Sequence, residues 1–389
     1  MKGFVASLVP REPKLPRSWA ADVLEKQKAL EANIFSLSDM PGYVKGMGPS
    51  VDTWHNLDYL DIYPKIYGRE FGANGIGKLR EVALTEITAS ERFALYDQDP
   101  SYFPQMGLNH EDLDIDKMKD QSLQYQLKLE EAGVVVHRIA YPQPPVGAFG
   151  PMRSTWAANE LLVLRGGSVI EKIAISPFGT GRAEYLGLWA FANLGIPPIL
   201  TIMGKGVCEA GPCFWLAEDV FVAGRGLAYN QTGLDQLIPM VARTSGLEES
   251  ELTTLAINFP GNVYVNPITG QSHHPDMVLG SLDVNKVIVY APGLDFGTWE
   301  WLRKRGYQIV EIDTDEQRFA APANVMTLEP GRVIMPAEGP KAIAAVRKIG
   351  VEVIETPYSE FLRVGGGLHC STMRLHRDKG PYSTDKPAI

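Results

Sequence analysis

The chain has 389 residues, of which 45% are hydrophobic and 21% are charged, and its formal net charge is −9. This composition is usual for a globular protein with a buried core, and the negative charge, without any basic cluster, argues against a nucleic-acid partner. No stretch approaches the roughly 20 apolar residues of a membrane span, and the N-terminus becomes polar too early for a secretory signal. We therefore expect a cytoplasmic protein with no membrane partner.

The first segment, residues 1–77, stands outside the repeated pattern that follows it. It contains a predicted helix at 18–32 and then an aromatic stretch spaced by proline and glycine, with Tyr43, Trp54 and Tyr67 among its rings. We expect an N-terminal extension that serves as a flap or an oligomer contact rather than as an independent domain. Such a contact would make the protein a homo-oligomer.

From Lys78 onwards, the order hairpin, helix, strand recurs five times, and a repeat of this kind decides the fold class. In the third unit the hairpin is predicted at 220–223 and 227–229, with its turn at 224–226. The helices are predicted at 112–131, 183–194, 234–244, 298–305 and 341–349, and the closing strands at 134–139, 199–203, 252–258, 308–312 and 351–355.

Strands that arrive in pairs before each helix argue against an open doubly wound sheet, in which strands and helices alternate singly. Five like units favour closure around an axis, which leaves no open sheet edge. The last strand, 368–375, must then return to the first unit. We predict an α/β fold with a pseudo-fivefold repeat, in which residues 78–389 form one domain.

One thiol among the three cysteines is a candidate nucleophile. Cys370 ends the run Gly365-Gly366-Gly367-Leu368-His369-Cys370, and three glycines allow backbone or ligand to approach without a Cβ in the way. A single cysteine with histidine elsewhere is typical of nucleophilic catalysis, while the alternative is a buried thiol after a glycine-rich turn. Cys208 and Cys213 lack a second pair or nearby histidines for a zinc site, so we predict no metal and no other cofactor.

A histidine and a carboxylate precede the hairpin of the fourth unit, in His273-His274-Pro275-Asp276. Pro275 disfavours the helical conformation for His274, and in an extended segment His274 and Asp276 lie on the same side. Such a pair can act as base and proton shuttle beside a thiolate. The alternative is a solvated loop that happens to hold two histidines.

Polar pairs also precede strands of two other units, Asn159-Glu160 in the second and Glu218-Asp219 in the third. In a ring of like units these points would converge with Cys370. We therefore predict that Asn159, Glu160, Glu218 and Asp219 bind the substrate, although ordinary loop polarity would give the same pattern.

The stretch Gly365 to Thr372 closely resembles the nucleophile motif of the glycine and inosamine-phosphate amidinotransferases, and His274-Pro275-Asp276 resembles their His-x-Asp motif. Segments 78–82 and 218–225 are also similar to theirs, and the order of the motifs resembles the guanidino-group-modifying superfamily, the penteins, which includes arginine deiminase and dimethylarginine dimethylaminohydrolase. The resemblance covers roughly residues 78–377. It implies a five-bladed α/β propeller, with Cys370 as nucleophile and His274 as general acid and base.

Two positions depart from the family pattern. Leu216 stands where the family has an acidic residue and Asn159 stands where it has an aspartate, and both family residues anchor a cationic guanidinium. Glu218 lies two residues after Leu216, on the same face of an extended segment, and is a candidate replacement. Without that replacement the pocket would suit a neutral ureido or amide-like group, and Asn159 also resembles the arginine dihydrolase branch.

The resemblance implies an enzyme that acts on a small arginine-like substrate with an amidino or guanidino group. Glu218 and Asn159 would hold the group while Cys370 attacks its carbon. His274 would protonate the departing amine, and Asp276 would orient His274. A second amine or water can resolve the amidino-thioether. Because the motif from Gly365 to Cys370 matches that of the amidinotransferases, we predict an amidinotransferase, with a C–N hydrolase of the deiminase or dihydrolase type as the alternative. A binding protein on the same fold, without catalysis, is a third possibility that the loss of acidic anchors would favour.

Overall fold

The computed structural model describes residues 38, 43–47, 58–88, 113–140, 146–147, 150–151, 161–171, 183–259, 274–363 and 366–383. The chain divides into two compact units, residues 1–69 and 70–389. In the first unit a helix spans Tyr59–Tyr67, with Asp58 as its N-cap and Gly68, at a φ of 65°, as its C-cap. The helix predicted at 18–32 lies outside the described residues.

Residues 70–77, which precede the repeat, are hydrogen-bonded inside the second unit. The backbone N–H of Gly72 donates to the carbonyl of Leu375, and that of Ala73 donates to the carbonyl of Val163, both at 2.9 Å. The second unit therefore begins before Lys78, where the sequence repeat starts.

Helices and strands alternate through the described chain. The helices are α1 (Tyr59–Tyr67), α2 (Ile115–Glu131), α3 (Ala183–Leu194), α4 (Gln231–Ser245), α5 (Phe296–Lys304), α6 (Thr314–Ala320), α7 (Pro340–Lys348) and α8 (Ser359–Arg363). The strands are β1 (Leu79–Thr85), β2 (Val135–Ile139), β3 (Val146–Gly147), β4 (Gly150–Pro151), β5 (Leu162–Leu164), β6 (Gly167–Ile170), β7 (Pro198–Thr201), β8 (Phe214–Ala217), β9 (Val220–Arg225), β10 (Thr253–Asn258), β11 (Leu279–Asp283), β12 (Lys286–Val289), β13 (Gln308–Glu311), β14 (Met326–Glu329), β15 (Arg332–Pro336), β16 (Glu352–Thr356) and β17 (Met373–Arg377). None of these described helices combines the length and the hydropathy that a bilayer crossing requires.

Five three-stranded sheets repeat one pattern in the described residues, with the orders β17-β1-β2, β5-β6-β7, β8-β9-β10, β11-β12-β13 and β14-β15-β16. In each sheet the first pair is antiparallel and the second pair is parallel. In four of these sheets the chain makes a hairpin and then crosses through a helix to a parallel strand, as the repeat predicted, whereas in the first sheet the antiparallel partner of β1 comes from the other end of the chain. The last strand, β17, pairs with β1, which confirms that the C-terminal strand returns to the first unit.

The third unit differs from its prediction. Its hairpin pairs β8 with β9 and turns at Glu218-Asp219, so the turn predicted at 224–226 is wrong. Gly224 lies inside β9, where a Cβ would come within 2.6 Å of the Tyr229 ring. The glycine is needed for this close approach of an aromatic side chain rather than for a turn.

Buried side chains join neighbouring sheets into continuous cores. One hydrophobic cluster contains residues of the third, fourth and fifth sheets, and helices α5 and α7 pack on it through Leu302, Ile343 and Val346. The middle strand β9 is buried along Val220–Ala223, as expected for a strand covered on both faces. This packing fixes where the ends of the strands, and the loops before them, are placed.

Candidate active site

Cys370 lies in a tight turn just before β17. The hydroxyl of Ser371 donates to the carbonyl of Gly367 at 3.0 Å, and the hydroxyl of Thr372 donates to the carbonyl of Leu368 at 2.6 Å. Two buried tyrosines reach this turn, since Tyr125 contacts the Thr372 hydroxyl at 2.9 Å and Tyr358 contacts the Ser371 hydroxyl. The two residues that follow the thiol are therefore each held by a buried tyrosine.

Asn324, in the loop before β14, holds the cysteine by two atoms. Its side-chain oxygen accepts from the backbone N–H of Cys370 at 2.9 Å, and its Nδ2 donates to the sulfur at 3.0 Å. A Cβ on Gly367 would lie 2.8 Å from the Asn324 side chain. The third glycine of the run is thus required for Asn324 to reach the thiol.

Asp276 is the carboxylate at the sulfur. The Cys370 thiol donates to Asp276 Oδ2 across 3.4 Å, and His369 Nδ1 contacts the same oxygen at 2.8 Å. Asp276 is 2% exposed, and its other oxygen, Oδ1, has no hydrogen-bond partner among the described residues. One carboxylate oxygen is therefore available to a substrate N–H.

His369 is held in one tautomer. Arg374 Nη1 meets His369 Nε2, and because a guanidinium only donates, Nε2 must accept and Nδ1 must carry the proton that goes to Asp276. Burial, together with the charge of Arg374, lowers the pKa of His369 to about 4. The ring is therefore neutral at neutral pH.

The resting nucleophile is a thiol. Burial raises the pKa of Cys370 well above its ordinary value, and the Asp276 charge adds to the rise, while the Asn324 amide opposes it. Burial disfavours ionised Asp276, but the contacts with His369, His274 and Cys370 together outweigh it, so that the pKa of Asp276 is lowered. Catalysis therefore needs a group that removes the thiol proton.

His274 is paired with a carboxylate that the sequence analysis did not name. Its Nε2 lies 2.5 Å from Glu209 Oε2, and both side chains are largely buried. His274 is extended, as Pro275 requires, but Pro275–Met277 then forms a 3-10 turn rather than an extended segment. The turn, and not strand alternation, sets the relative positions of His274 and Asp276.

Glu218 and Asp219 lie at the other end of their strand. The strand β8 has four residues and separates the Glu209 loop from the Glu218-Asp219 turn by about 13 Å, at about 3.3 Å per residue. Glu218 accepts from Arg165 at 2.9 and 3.0 Å, and Asp219 accepts from the backbone N–H of Ser383 at 2.6 Å. Glu218 and Asp219 contact Gly380 and Ser383, which follow β17. Cys370 precedes β17, so the structure does not bring either carboxylate to the thiol.

The remaining predicted substrate residues, Asn159 and Glu160, lie outside the described residues. Leu216 is fully buried in the hydrophobic core. The described residues contain no cluster of three or more histidine, cysteine or acidic side chains that could hold a metal ion.

Three residues of the candidate site were missed from the sequence, namely Glu209, Asn324 and Arg374. Glu209 and Asn324 each lie in the loop before the first strand of a unit, as Asp276 does. Their signal was therefore available in the repeat, but the misplaced hairpin of the third unit concealed Glu209. Arg374 has no signal of its own, because an arginine within a strand usually faces solvent.

Comparisons with known proteins fit this arrangement. Residues 273–377 match the family model for arginine deiminase. Over 358 residues the chain is 36% identical to the 2-nitroimidazole nitrohydrolase of Mycobacterium sp. (strain JS330), an alignment that covers 90% of this chain and 94% of that protein.

Two solved structures show a shared fold. A mutant dimethylarginine dimethylaminohydrolase from Pseudomonas aeruginosa, complexed with citrulline, superposes with a TM-score of 0.57 at 19% identity, covering 76% of this chain and 99% of that one. An amidinotransferase of saxitoxin biosynthesis from Microseira wollei gives a TM-score of 0.57 at 16% identity, covering 82% of this chain and 99% of that one.

Proposed function

This chain belongs to the guanidino-group-modifying (pentein) superfamily, in the family of the mycobacterial 2-nitroimidazole nitrohydrolase, and from that premise we propose that it is a cysteine-dependent hydrolase of planar compounds in which one carbon lies between two nitrogens. The first substrate class is the 2-nitroimidazoles. The observation that carries the proposal is the buried contact of the Cys370 thiol with Asp276 and Asn324. Asp276 lies two residues along the chain from His274, which pairs with Glu209.

The two substrate classes share their reacting carbon. A guanidinium carbon is bonded to three nitrogens, and C2 of a 2-nitroimidazole is bonded to two ring nitrogens and to a nitro group. In both, a thiolate adds to a flat carbon and a nitrogen group leaves. Nitrite is a weak base, so its departure needs less proton transfer than the departure of an amine.

A neutral substrate suits the charges around Cys370. A guanidinium has its positive charge spread over five N–H donors and needs several acceptors. Among the described residues, Asp276 offers one free oxygen, and Glu209 is already engaged with His274. Leu216 is buried in the core, and Glu218 is paired with Arg165. A neutral azole that donates one ring N–H to Asp276 Oδ1 satisfies this site.

The reaction has two halves. In the first, His274, supported by Glu209, takes the thiol proton, the Cys370 sulfur bonds to C2, and the C–N bond to the nitro group breaks to release nitrite. Between the halves His274 releases the first proton to solvent. In the second half it takes a proton from water, the water oxygen bonds to C2, the C–S bond breaks, and His274 gives its proton to the sulfur to restore the thiol. One water is consumed, one nitrite and one proton are released, and the organic product is a cyclic urea.

Asn324 supports both halves from its contact with the sulfur. Its N–H donates to the thiolate that forms before addition and again when the C–S bond breaks. Hydrogen bonds to a charged group are worth about 1.5–3 kcal/mol. Asn324 is therefore assigned as a catalytic residue together with Cys370, His274 and Asp276.

Amidino transfer is the second candidate, because the run from Gly365 to Cys370 resembles the amidinotransferase motif. The likeness to the solved amidinotransferase concerns the fold alone, whereas the nitrohydrolase is similar along nearly the whole chain. We also propose that the five sheets close into the five-bladed propeller of the superfamily, since β17 completes the sheet of β1.

The test compares the two reactions directly. Purified protein is incubated with 2-nitroimidazole in ¹⁸O-labelled water, and nitrite and label in the organic product are measured. We expect both to form with the wild-type protein and with Cys208→Ala, and neither to form with Cys370→Ala. A parallel incubation with arginine, with and without glycine, measures ornithine, citrulline and ammonia. Ornithine formed only with glycine, and no nitrite from the azole, would replace the hydrolase proposal with amidino transfer.

A further inference from the structure

A small cavity lies beside the proposed catalytic residues. The charged side chains of its lining are those of Asp276 and two arginines. The cavity measures about 30 Å³, and its lining includes Trp215, Asp276, Ser281, Arg374 and Arg377. That volume holds about two atoms the size of a water oxygen. The strands β8, β11 and β17, or the loops before them, supply these side chains.

Three buried polar atoms of this lining have no hydrogen-bond partner among the described residues. They are Trp215 Nε1, Ser281 Oγ and Asp276 Oδ1, and their residues are 3%, 4% and 2% exposed. Buried polar groups are nearly always paired with protein or with a bound molecule. Asp276 Oδ1 is assigned to the substrate N–H, and the two unpaired donors of Trp215 and Ser281 indicate that the cavity has a polar occupant of its own.

The charge of the lining is positive. Arg374 and Arg377 are 5% and 6% exposed, and burial lowers the pKa of Arg374 to about 10 and that of Arg377 to about 9, so both are charged at neutral pH. Asp276 is the only carboxylate of the lining. Glu218, whose charge also acts on Arg377, is already paired with Arg165.

Donors outnumber acceptors in the cavity. Arg374 donates to Gly211 O at 2.6 Å and to His369, and Arg377 donates to Gly77 O at 2.9 Å and to Thr327 O at 2.6 Å. These bonds fix the two guanidiniums in place. With the indole N–H of Trp215 and the hydroxyl of Ser281 added, the lining presents several donors and one carboxylate acceptor.

We infer that this cavity binds one small monovalent anion. The anion takes hydrogen bonds from Ser281 and Trp215 and balances the second arginine. Its physiological identity as nitrite rests on the proposed function, because nitrite is the anion that the proposed reaction releases beside Asp276. The binding of a halide depends only on the cavity.

The first experiment uses the wild-type protein, so that no variant has to fold. Crystals are soaked in sodium bromide, and the anomalous signal of bromide is located. Thermal unfolding is measured in sodium bromide, sodium nitrite and, at equal ionic strength, sodium gluconate, whose anion is too large for the cavity. We expect a bromide peak between Ser281 and the arginines, and a saturable rise of Tm with bromide and nitrite but not with gluconate. Ordered water alone in the cavity, or equal effects of the three salts, would overturn the inference.

A pair of variants tests the donor. Ser281→Ala removes the unpaired hydroxyl from the lining, and Thr356→Val removes another buried, unpaired hydroxyl that does not line the cavity. Ser281→Ala loses a hydrogen bond to a charged group, so we expect the bromide concentration that gives half of the maximal Tm rise to be about tenfold higher than in the wild type. Thr356→Val should leave this concentration unchanged. The same bromide dependence in both variants would contradict the assignment.

The outcomes separate this inference from the proposed function. Bromide binding without any nitrite release from 2-nitroimidazole would support the anion site and reject the nitrohydrolase proposal. Nitrite release by a protein whose cavity holds water only would support the hydrolase and reject the anion site.

Discussion

Replacing Asp276 with asparagine should change the reactivity of Cys370 and the turnover of the enzyme in opposite directions. The Asp276 carboxylate faces the sulfur across 3.4 Å, and its charge raises the pKa of the thiol. Asparagine has the same shape and removes that charge. The thiolate should therefore form more readily, while the substrate N–H loses its charged acceptor.

The size of the effect follows from the distance. Two unit charges 3.4 Å apart interact by about 5 kcal/mol at an effective dielectric constant of about 20. Even a third of this energy exceeds the 1.4 kcal/mol that corresponds to a factor of ten. We expect Asp276→Asn to alkylate at least about tenfold faster at Cys370 at pH 7. Turnover should fall by about 10- to 100-fold in kcat/KM, since a hydrogen bond to a charged group is worth about 1.5–3 kcal/mol.

The assay is a time course with iodoacetamide between pH 6 and pH 10, in which mass spectrometry follows the Cys370 peptide and nitrite release gives turnover. Asp283→Asn is the matched control, because Asp283 ends the same strand, β11, and pairs with Lys286. The control should leave both rates unchanged. Alkylation of Asp276→Asn that is unchanged or slower would show that Asp276 does not set the protonation of the thiol.

Three further variants test neighbouring contacts. Glu209→Gln keeps the shape of the acid but removes the charge at His274, and nitrite release should fall by about 10² to 10⁴ with little change in Tm; an unchanged rate would remove Glu209 from the mechanism. Because His369 binds its proton at pH about 4 in the folded protein and at 6.5 ordinarily, the unfolded chain takes up that proton first as the pH falls. The free energy of unfolding should therefore drop by up to about 3 kcal/mol as the pH falls from 6.5 to about 4. Urea unfolding of His369→Gln should not show this pH-dependent loss. Gly367→Ala places a Cβ 2.8 Å from Asn324 and should cost about 1–3 kcal/mol in stability. If this variant had the stability and the Cys370 alkylation rate of the wild type, the turn would accept a Cβ without strain and the close contact with Asn324 would not require glycine.

The repeat could be predicted from the sequence because turn and helix-end residues mark each unit. Gly195, Gly246 and Gly350 end or follow helices at positive φ, and such positions favour glycine whatever the tertiary contacts. The position of the third hairpin could not be predicted in the same way. A glycine at position 224 predicts a turn from the sequence alone. Only the structure shows that the Tyr229 ring packs against its backbone, which explains why a strand contains a glycine here.

The site was partly predictable, and the same error limited it. Cys370, His274 and Asp276 were predicted from a glycine run and from residues that precede a hairpin, and the structure brings the Asp276 carboxylate to the Cys370 sulfur. With the third hairpin in its true place, the loop before it contains Glu209, which lies 2.5 Å from His274. Glu218 then belongs to the hairpin turn at the opposite end of β8. Equivalent positions in a repeat identify site residues only when each unit is aligned correctly.

Because Cys370 is a protonated thiol in the resting protein, the charge of a substrate affects whether the reactive thiolate forms when that substrate binds. A cationic guanidinium would bring its own positive charge to the buried thiol and favour the thiolate on binding. A neutral azole brings none, so the positive charge must come from the protein. Arg374 supplies it, because its charge interacts favourably with that of the Cys370 thiolate, and His274 accepts the proton. The chain keeps Arg374 buried within reach of this carboxylate, while Leu216 occupies the position of a family acid. Under the proposed function, both features favour a neutral substrate over arginine.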